Sequence, residues 1–282
     1  MSDLSQSLAA PRYVKIEQDG AVRRIVMSRP EVRNAFDPRM ITEITAAFVD
    51  ACSDPLTRVV VLAGAGESFS AGADLEYMRS MAEFDEEQNV EDALRLVALF
   101  EAVRDCPKPV VARVQGAAVG GGVGLVAASD IAVAADDTVF AFSEVRLGMI
   151  PAVISPFVVP RIGHAASHEL FLTGERFDAA RAHAINLVAR VVPAAELDEA
   201  VDERVAALLE AAPEAQGAVK ALLRGVAGGV AAKELANFTA RLIAERRVAA
   251  EGHEGMAAFV ERRKPSWVHW VPDAPGDEAS ES

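Results

Sequence analysis

Apolar and polar residues alternate over residues 13–17 and 21–28, on either side of Asp19-Gly20, and this pattern predicts a β-hairpin at the start of the chain. Asp37-Pro38 then supplies an N-cap and a proline at the first helical position. Met40, Ile44, Ala47, Phe48 and Ala51 follow at helical spacing. A continuous apolar run at 59–63 reads as a buried strand. Ala93, Leu96, Val97, Phe100 and Val103 place a helix over 91–104, with Asp85-Glu86-Glu87 as a solvated helix start. A strand at 109–114, a helix at 121–128 and short strands at 131–135 and 139–142 come next. This alternation predicts an α/β architecture as far as Phe142. Beyond it, apart from a strand at 188–192, the chain is alanine-rich and helical: 164–172, 178–184, 195–211, 231–250 and 253–262. Residues 1–10 and 272–282 carry too few apolar groups to pack and are expected to be disordered.

Length and charge narrow this picture. A chain of 282 residues, 51% hydrophobic, can bury an ample core, and one large domain with an appended helical piece is expected. A net charge of -14 excludes nucleic acid as a partner, because a phosphate backbone requires a basic face. It also means that any phosphorylated small molecule needs a local cationic patch within an acidic field. Cys52 and Cys106 form no CxxC pair and no zinc site, which suits a reducing cytoplasm. The N-terminus lacks the pattern of a signal peptide. The densest apolar stretch, 110–133, is interrupted by Arg113, Gln115, several glycines and Ser129-Asp130, so no membrane span is expected.

Two glycine-containing stretches, Ser70-Ala71-Gly72-Ala73-Asp74 and Gly120-Gly121-Gly122-Val123-Gly124, each follow a strand and lead toward a helix. Small residues in such turns let backbone N–H groups face outward and donate to an anion or a developing oxyanion; they also serve tight packing. Gly122-Val123-Gly124-Leu125-Val126-Ala127 matches a dinucleotide-binding pattern, yet Asp136 follows too soon to be its ribose-binding carboxylate, and Glu144 lies beyond a further strand. His164 and His168 have the spacing of two zinc ligands but no third, and read as a solvated or capping pair. No GxSxG elbow marks a nucleophile.

Five successive segments, 29–36, 69–75, 115–125, 129–134 and 142–151, resemble in order and spacing the signatures of the crotonase family, the enoyl-CoA hydratases and isomerases. The resemblance implies an α/β fold: a crotonase-like spiral of repeated ββα units over 13–195, with a helical C-terminal trimerisation region over 196–265. Homotrimers, often paired into homohexamers, are implied with it. It also implies an acyl-CoA thioester substrate, with coenzyme A as part of the substrate and no separate cofactor or metal. By motif position, Ala73 and Gly121 become the oxyanion donors and Glu144 the acid/base. The acyl-CoA contacts become Val32, Arg33, Ala35, Ala71, Ala73, Asp74, Leu75, Gly120, Gly121, Gly124, Glu144 and Pro151.

One departure stands out. Two-glutamate hydratases of this family carry a carboxylate where this chain has Gly124, leaving Glu144 to work alone. The implied activity is an enoyl-CoA hydratase. An enoyl-CoA isomerase using the same three residues is the alternative, and an acyl-CoA-binding homologue of weak activity a further one. The sequence around Gly124 and Glu144 resembles the methylglutaconyl-CoA hydratase subgroup of leucine or isoprenoid breakdown, in which glycine is usual at that position. Branched or carboxylated enoyl groups are then expected, with Arg146 or Arg161 meeting a substrate carboxylate. The acidic excess is expected away from the CoA entrance, in Asp85 to Asp92 and the tail from Asp273, with Arg33 in a small cationic patch.

Overall fold

The computed structural model describes residues 12–268; the terminal segments expected to be disordered, 1–10 and 272–282, lie outside them. Strands β1 (Val14–Asp19) and β2 (Val22–Met27) pair antiparallel across the Asp19-Gly20 turn, as the alternation predicts. Helix α1 (Pro38–Ser53) begins where Asp37 caps it, its carboxylate accepting from the Met40 amide. Its five periodic apolar residues are all buried.

Strands β3 (Val59–Gly64), β4 (Val110–Val114), β6 (Ile131–Ala135) and β9 (Arg190–Val192) join the hairpin in a six-stranded sheet ordered β1-β2-β3-β4-β6-β9, parallel from β2 onward. A second sheet holds three short strands, β5 (Ala117–Val119), β7 (Val139–Ala141) and β8 (Arg176–Asp178), in the order β5-β7-β8. The continuous apolar runs follow from burial of both faces of the large sheet. Val60 and Leu62 of β3 face a core shared with α1, while Val59 and Val61 face Leu197, Ala200, Val201 and Val205 of helix α7 (Leu197–Leu209). Helix α7, placed by sequence in the helical C-terminal region, therefore belongs by packing to the sheet.

Several elements depart from expectation. Helix α2 (Leu75–Met81), capped by Asp74, and helix α8 (Pro213–Arg224), begun by its proline, are additional to the predicted elements. Helix α3 (Glu86–Asp105) starts earlier than residue 91, on a reciprocal capping box between Asp85 and Gln88. Helix α4 (Gly121–Ala128) is as expected. Helix α5 (Ser155–Thr173) begins well before residue 164 but breaks at Gly163, whose φ is 75°; its second half is the segment the periodicity shows. Helix α6 (Ala179–Ala184) is capped by Asp178. Helices α9 (Leu235–Val248) and α10 (Ala250–Glu261) follow, and within α8, α9 and α10 themselves only Ala258 is buried. No helix among the described residues is long and apolar enough to cross a membrane.

Candidate active site

Two short parallel bridges bring the glycine-containing turns together. Phe36 donates its amide to Gly72 O (2.7 Å) and accepts from the Asp74 amide (2.8 Å), so Phe36 bonds both neighbours of Ala73 and the N–H of Ala73 itself faces away from that bridge. Ser70 pairs likewise with Ala118, through Ala117 O (2.9 Å) and the Val119 amide (3.0 Å). The turns touch at Gly72, where an added Cβ would stand 2.9 Å from Val119 O and 4.0 Å from Gly120 Cα; with φ at +89°, the position requires glycine twice over. Gly121 is the first residue of α4, so its N–H has no intrahelical acceptor. Ala73 and Gly121, far apart in sequence, thus supply two backbone N–H groups on adjoining turns.

The same turns line a cavity of about 380 Å³ closed by α2, α3 and residues 143–154. Seven of the residues implied by resemblance line it: Ala71, Ala73, Leu75, Gly120, Gly121, Glu144 and Pro151. Glu144 opens a 3-10 turn (Glu144–Leu147) whose carbonyl is fixed by the Met149 amide at 3.0 Å. Its Oε2 is buried and accepts no hydrogen bond among the described residues. Burial raises the Glu144 carboxyl above its ordinary 4.5, against a smaller opposing effect of its own amide. A carboxylate held ready to take a proton, beside paired N–H donors, can move a proton next to a carbonyl whose oxygen becomes an anion.

The remaining implied residues stand outside the lining. Val32 and Arg33 belong to the turn that begins at Pro30, with Arg33 exposed; Arg33 O accepts from the Ala71 amide at 2.9 Å, which sets the turn against the site. Ala35 O and Asp74 are both held by Arg29, at 2.9 and 3.0 Å, and Arg29 also meets Asp37 at 3.2 Å. Burial pushes the Asp74 carboxyl up, but the amides of Glu76 and Tyr77 and the Arg29 guanidinium outweigh it and hold the group below its ordinary value. Gly124 is buried: a Cβ there would meet Ile154 Cγ2 at 2.5 Å and the Phe100 ring at 2.8 Å. The place of the missing carboxylate is therefore filled by α3 and the start of α5, not left open.

Two arginines are corrected by the structure. Arg161 donates to the carbonyls of Ala127, Ser129 and Asp130, and Arg146 to Thr173 O, and neither lines the cavity. Their donors serve carbonyls at the C-terminal ends of α4 and α5 and in the turn that follows α4. Asp92 is the opposite case: expected on a solvated acidic stretch, it is 8% exposed and lines the cavity, where the Tyr77 hydroxyl donates to it. Burial first, and the bond to Asp92 second, push the Tyr77 phenol up. Composition hides Asp92 among acidic neighbours, although its i, i+4, i+8 spacing with Leu96 and Phe100 was available as a signal. Asn34, also missed, is fully buried at φ +54° and donates to Ala65 O and Ser68 O, both at 2.8 Å, which shapes the turn that contains Val32 and Arg33.

Other polar clusters are quieter. His164 and His168 are exposed with rings 6.5 Å apart, and no group of three metal-ligating side chains occurs among the described residues. A wider groove of about 920 Å³ runs past Cys52, Arg58, Lys108 and Trp267, but Arg58 is spent on the carbonyls of Leu209, Ala211 and Trp267, and Lys108 on Asp54 O. The smaller cavity is where free donors and a free carboxylate converge.

Residues 17–269 match the family model described as enoyl-CoA hydratase/isomerase. A protein of Thermus thermophilus described as an enoyl-CoA hydratase is 36% identical over 260 residues, covering 89% of this chain and 99% of its own length. A crystal structure of an enoyl-CoA hydratase from Shewanella pealeana superposes with a TM-score of 0.89 at 39% identity, over 92% of this chain and 97% of that one. One from Marinobacter aquaeolei, described as an enoyl-CoA hydratase/isomerase, gives a TM-score of 0.86 at 33% identity, over 91% and 99%.

Proposed function

Because the chain belongs to the enoyl-CoA hydratase/isomerase family and has its crotonase fold, we propose that it hydrates 2-enoyl-CoA thioesters with Glu144 as the acid/base. The observation that carries this reading is the unpartnered, buried Oε2 of Glu144 in a cavity shared with Ala73 and Gly121. In the forward direction Glu144 takes a proton from water as its oxygen bonds C3. The electron pair of the C2–C3 double bond moves toward the thioester, whose oxygen becomes enolate-like and is met by the Ala73 and Gly121 N–H groups. Glu144 then returns the proton at C2. Losing one such donor costs about 3 kcal/mol in comparable sites.

The acyl group that suits this cavity is uncharged. Among the side chains of the lining, Glu144 and Asp92 are the carboxylates and no Lys or Arg is present, so a carboxylated substrate of the methylglutaconyl type would find no cation in the lining to pair with. Arg33, exposed beside the site, serves as the local cation for CoA phosphate within the acidic chain. Unpaired Cys52 and Cys106 are in keeping with a cytoplasmic location. Large apolar side chains stand exposed on α8 to α10, including Leu223, Phe259 and Val260, the last two 86% and 79% accessible; covering them in a homotrimer or homohexamer follows.

Loss of the conjugated enoyl absorbance of crotonyl-CoA, measured for the wild type and Glu144→Ala, tests the reading. Hydration abolished in the variant supports it. Hydration that persists in the variant overturns the mechanism, conversion of 3-enoyl-CoA without hydration favours the isomerase, and CoA binding without any turnover favours a binding protein. Sedimentation of the intact chain tests the assembly.

A further inference from the structure

Away from the acyl cavity, the fold brings together two cysteines that the sequence keeps far apart. Cys52 is the last residue but one of α1, and Cys106 is the C-cap residue of α3, where these two helices pack together. Cys106 is buried in the main core, and Cys52, partly exposed, packs against the same core. The Cys52 thiol donates to the Cys106 sulfur, which also accepts from the Lys108 amide. Cys52, Pro107 and Lys108 line the groove of about 920 Å³, so the groove opens onto the first sulfur and the second lies behind it. Two ammonium groups are fixed nearby: Lys108 donates to Asp54 O, and Lys220 to Lys108 O at 3.2 Å and to Asp130 at 2.6 Å.

Two neutral thiols in an apolar core would be inert. Here the bond from Cys52 lowers the Cys106 thiol to about 7, against its burial and with help from the Lys108 amide and the Lys220 charge. The same bond, and burial, push the Cys52 thiol up. The pair thus comes to hold one proton between two touching sulfurs, one of them within reach of solvent. We infer that Cys52 and Cys106 form a modification site for hydroperoxides, closing reversibly to an intramolecular disulfide. The shared proton moves to Cys106, and the Cys52 thiolate attacks the outer peroxide oxygen. The O–O bond breaks, the departing oxygen takes a proton from solvent, and Cys52 becomes a sulfenic acid. Cys106 then attacks the Cys52 sulfur, the S–O bond breaks, and the Cys106 proton leaves with the hydroxyl as water. The two sulfurs lose the two electrons that the peroxide gains.

The test treats the folded, reduced protein with hydrogen peroxide at about pH 7.5, quenches it with acid and follows it by intact-mass spectrometry and peptide mapping. The wild type should lose two hydrogens, about 2 Da, through a Cys52–Cys106 linkage within one chain that dithiothreitol reverses. In Cys106→Ser, which lacks the partner sulfur, Cys52 should react severalfold more slowly and be captured by dimedone as the sulfenic acid. In Cys52→Ser the buried Cys106 should be spared. The wild-type mass decides the disulfide whatever the fate of either variant. Cysteines left unmodified, oxygen added to them without a linkage, or a linkage between two chains overturns the inference. So does a rate of Cys52 oxidation in Cys106→Ser equal to that of the wild type.

Discussion

The carboxylate of Glu144 lies over the bare Cα of Gly120: a Cβ added to Gly120 would stand 3.3 Å from Oε1. Gly120 has φ +52° and precedes the oxyanion residue Gly121, so one glycine both turns the backbone and leaves room for the acid/base.

Replacing Glu144 by Gln keeps that shape and removes the proton carrier. Hydration should fall by about 10² to 10⁴ in kcat. Since burial raises the carboxyl and the base form acts, wild-type kcat/KM should rise with pH along a limb placed above 4.5. Stability has the opposite slope: the folded protein holds a proton that the unfolded chain has released, so stability declines as pH rises from 4.5 through the raised value. Thermal melts against pH should show this decline weakened in Glu144→Gln.

Ala73→Pro removes the proposed oxyanion N–H but spares the bridge to Phe36, which runs through Gly72 O and the Asp74 amide. A loss of about 10² to 10³ in kcat is expected, with CoA affinity retained by calorimetry. Unchanged kcat would remove Ala73 from the site.

Gly124→Glu should not create a two-carboxylate hydratase. Its Cβ would collide with Ile154 and Phe100 before the carboxylate is placed. Even Gly124→Ala should cost about 1 to 3 kcal/mol by overpacking, read as a lowered denaturation midpoint.

Arg29→Met breaks the tie among Ala35 O, Asp37 and Asp74 and leaves carboxylates about 10–20% exposed without their cation. Stability at neutral pH should drop by on the order of 3 kcal/mol. Asp74 is held below its ordinary 3.8, so its contribution is present above that value and lost as pH falls beneath it. The deficit of the variant against wild type in urea titrations should therefore shrink on acidification.

Local backbone chemistry was legible without coordinates. Asp19-Gly20, Asp37-Pro38 and the two glycine turns are specified by residues within a few positions of one another, and the hairpin, α1, β3 and α4 appear where those signals stand. Glu144 and the pair of turns were readable because they sit in contiguous motifs. Helix α8, which buries none of its residues in this chain, is additional to the predicted elements although Pro213 stands at its start, and α5 was half hidden by the break at Gly163.

What the tertiary structure decided is which surfaces meet. Only packing of α3 against the turns shows that Gly120 and Gly121 face the cavity while Gly124 abuts Phe100 and Ile154. Only the approach of α2 to α3 turns Asp92 from one acidic residue among several into a buried partner of Tyr77. Likewise Arg161, a cation free to be assigned in sequence, is committed to three carbonyls at the C-terminal end of α4 and just beyond it. The physical reason is the range of the forces: dihedral preferences and caps act within a turn, whereas desolvation of a charge depends on neighbours brought from elsewhere in the chain.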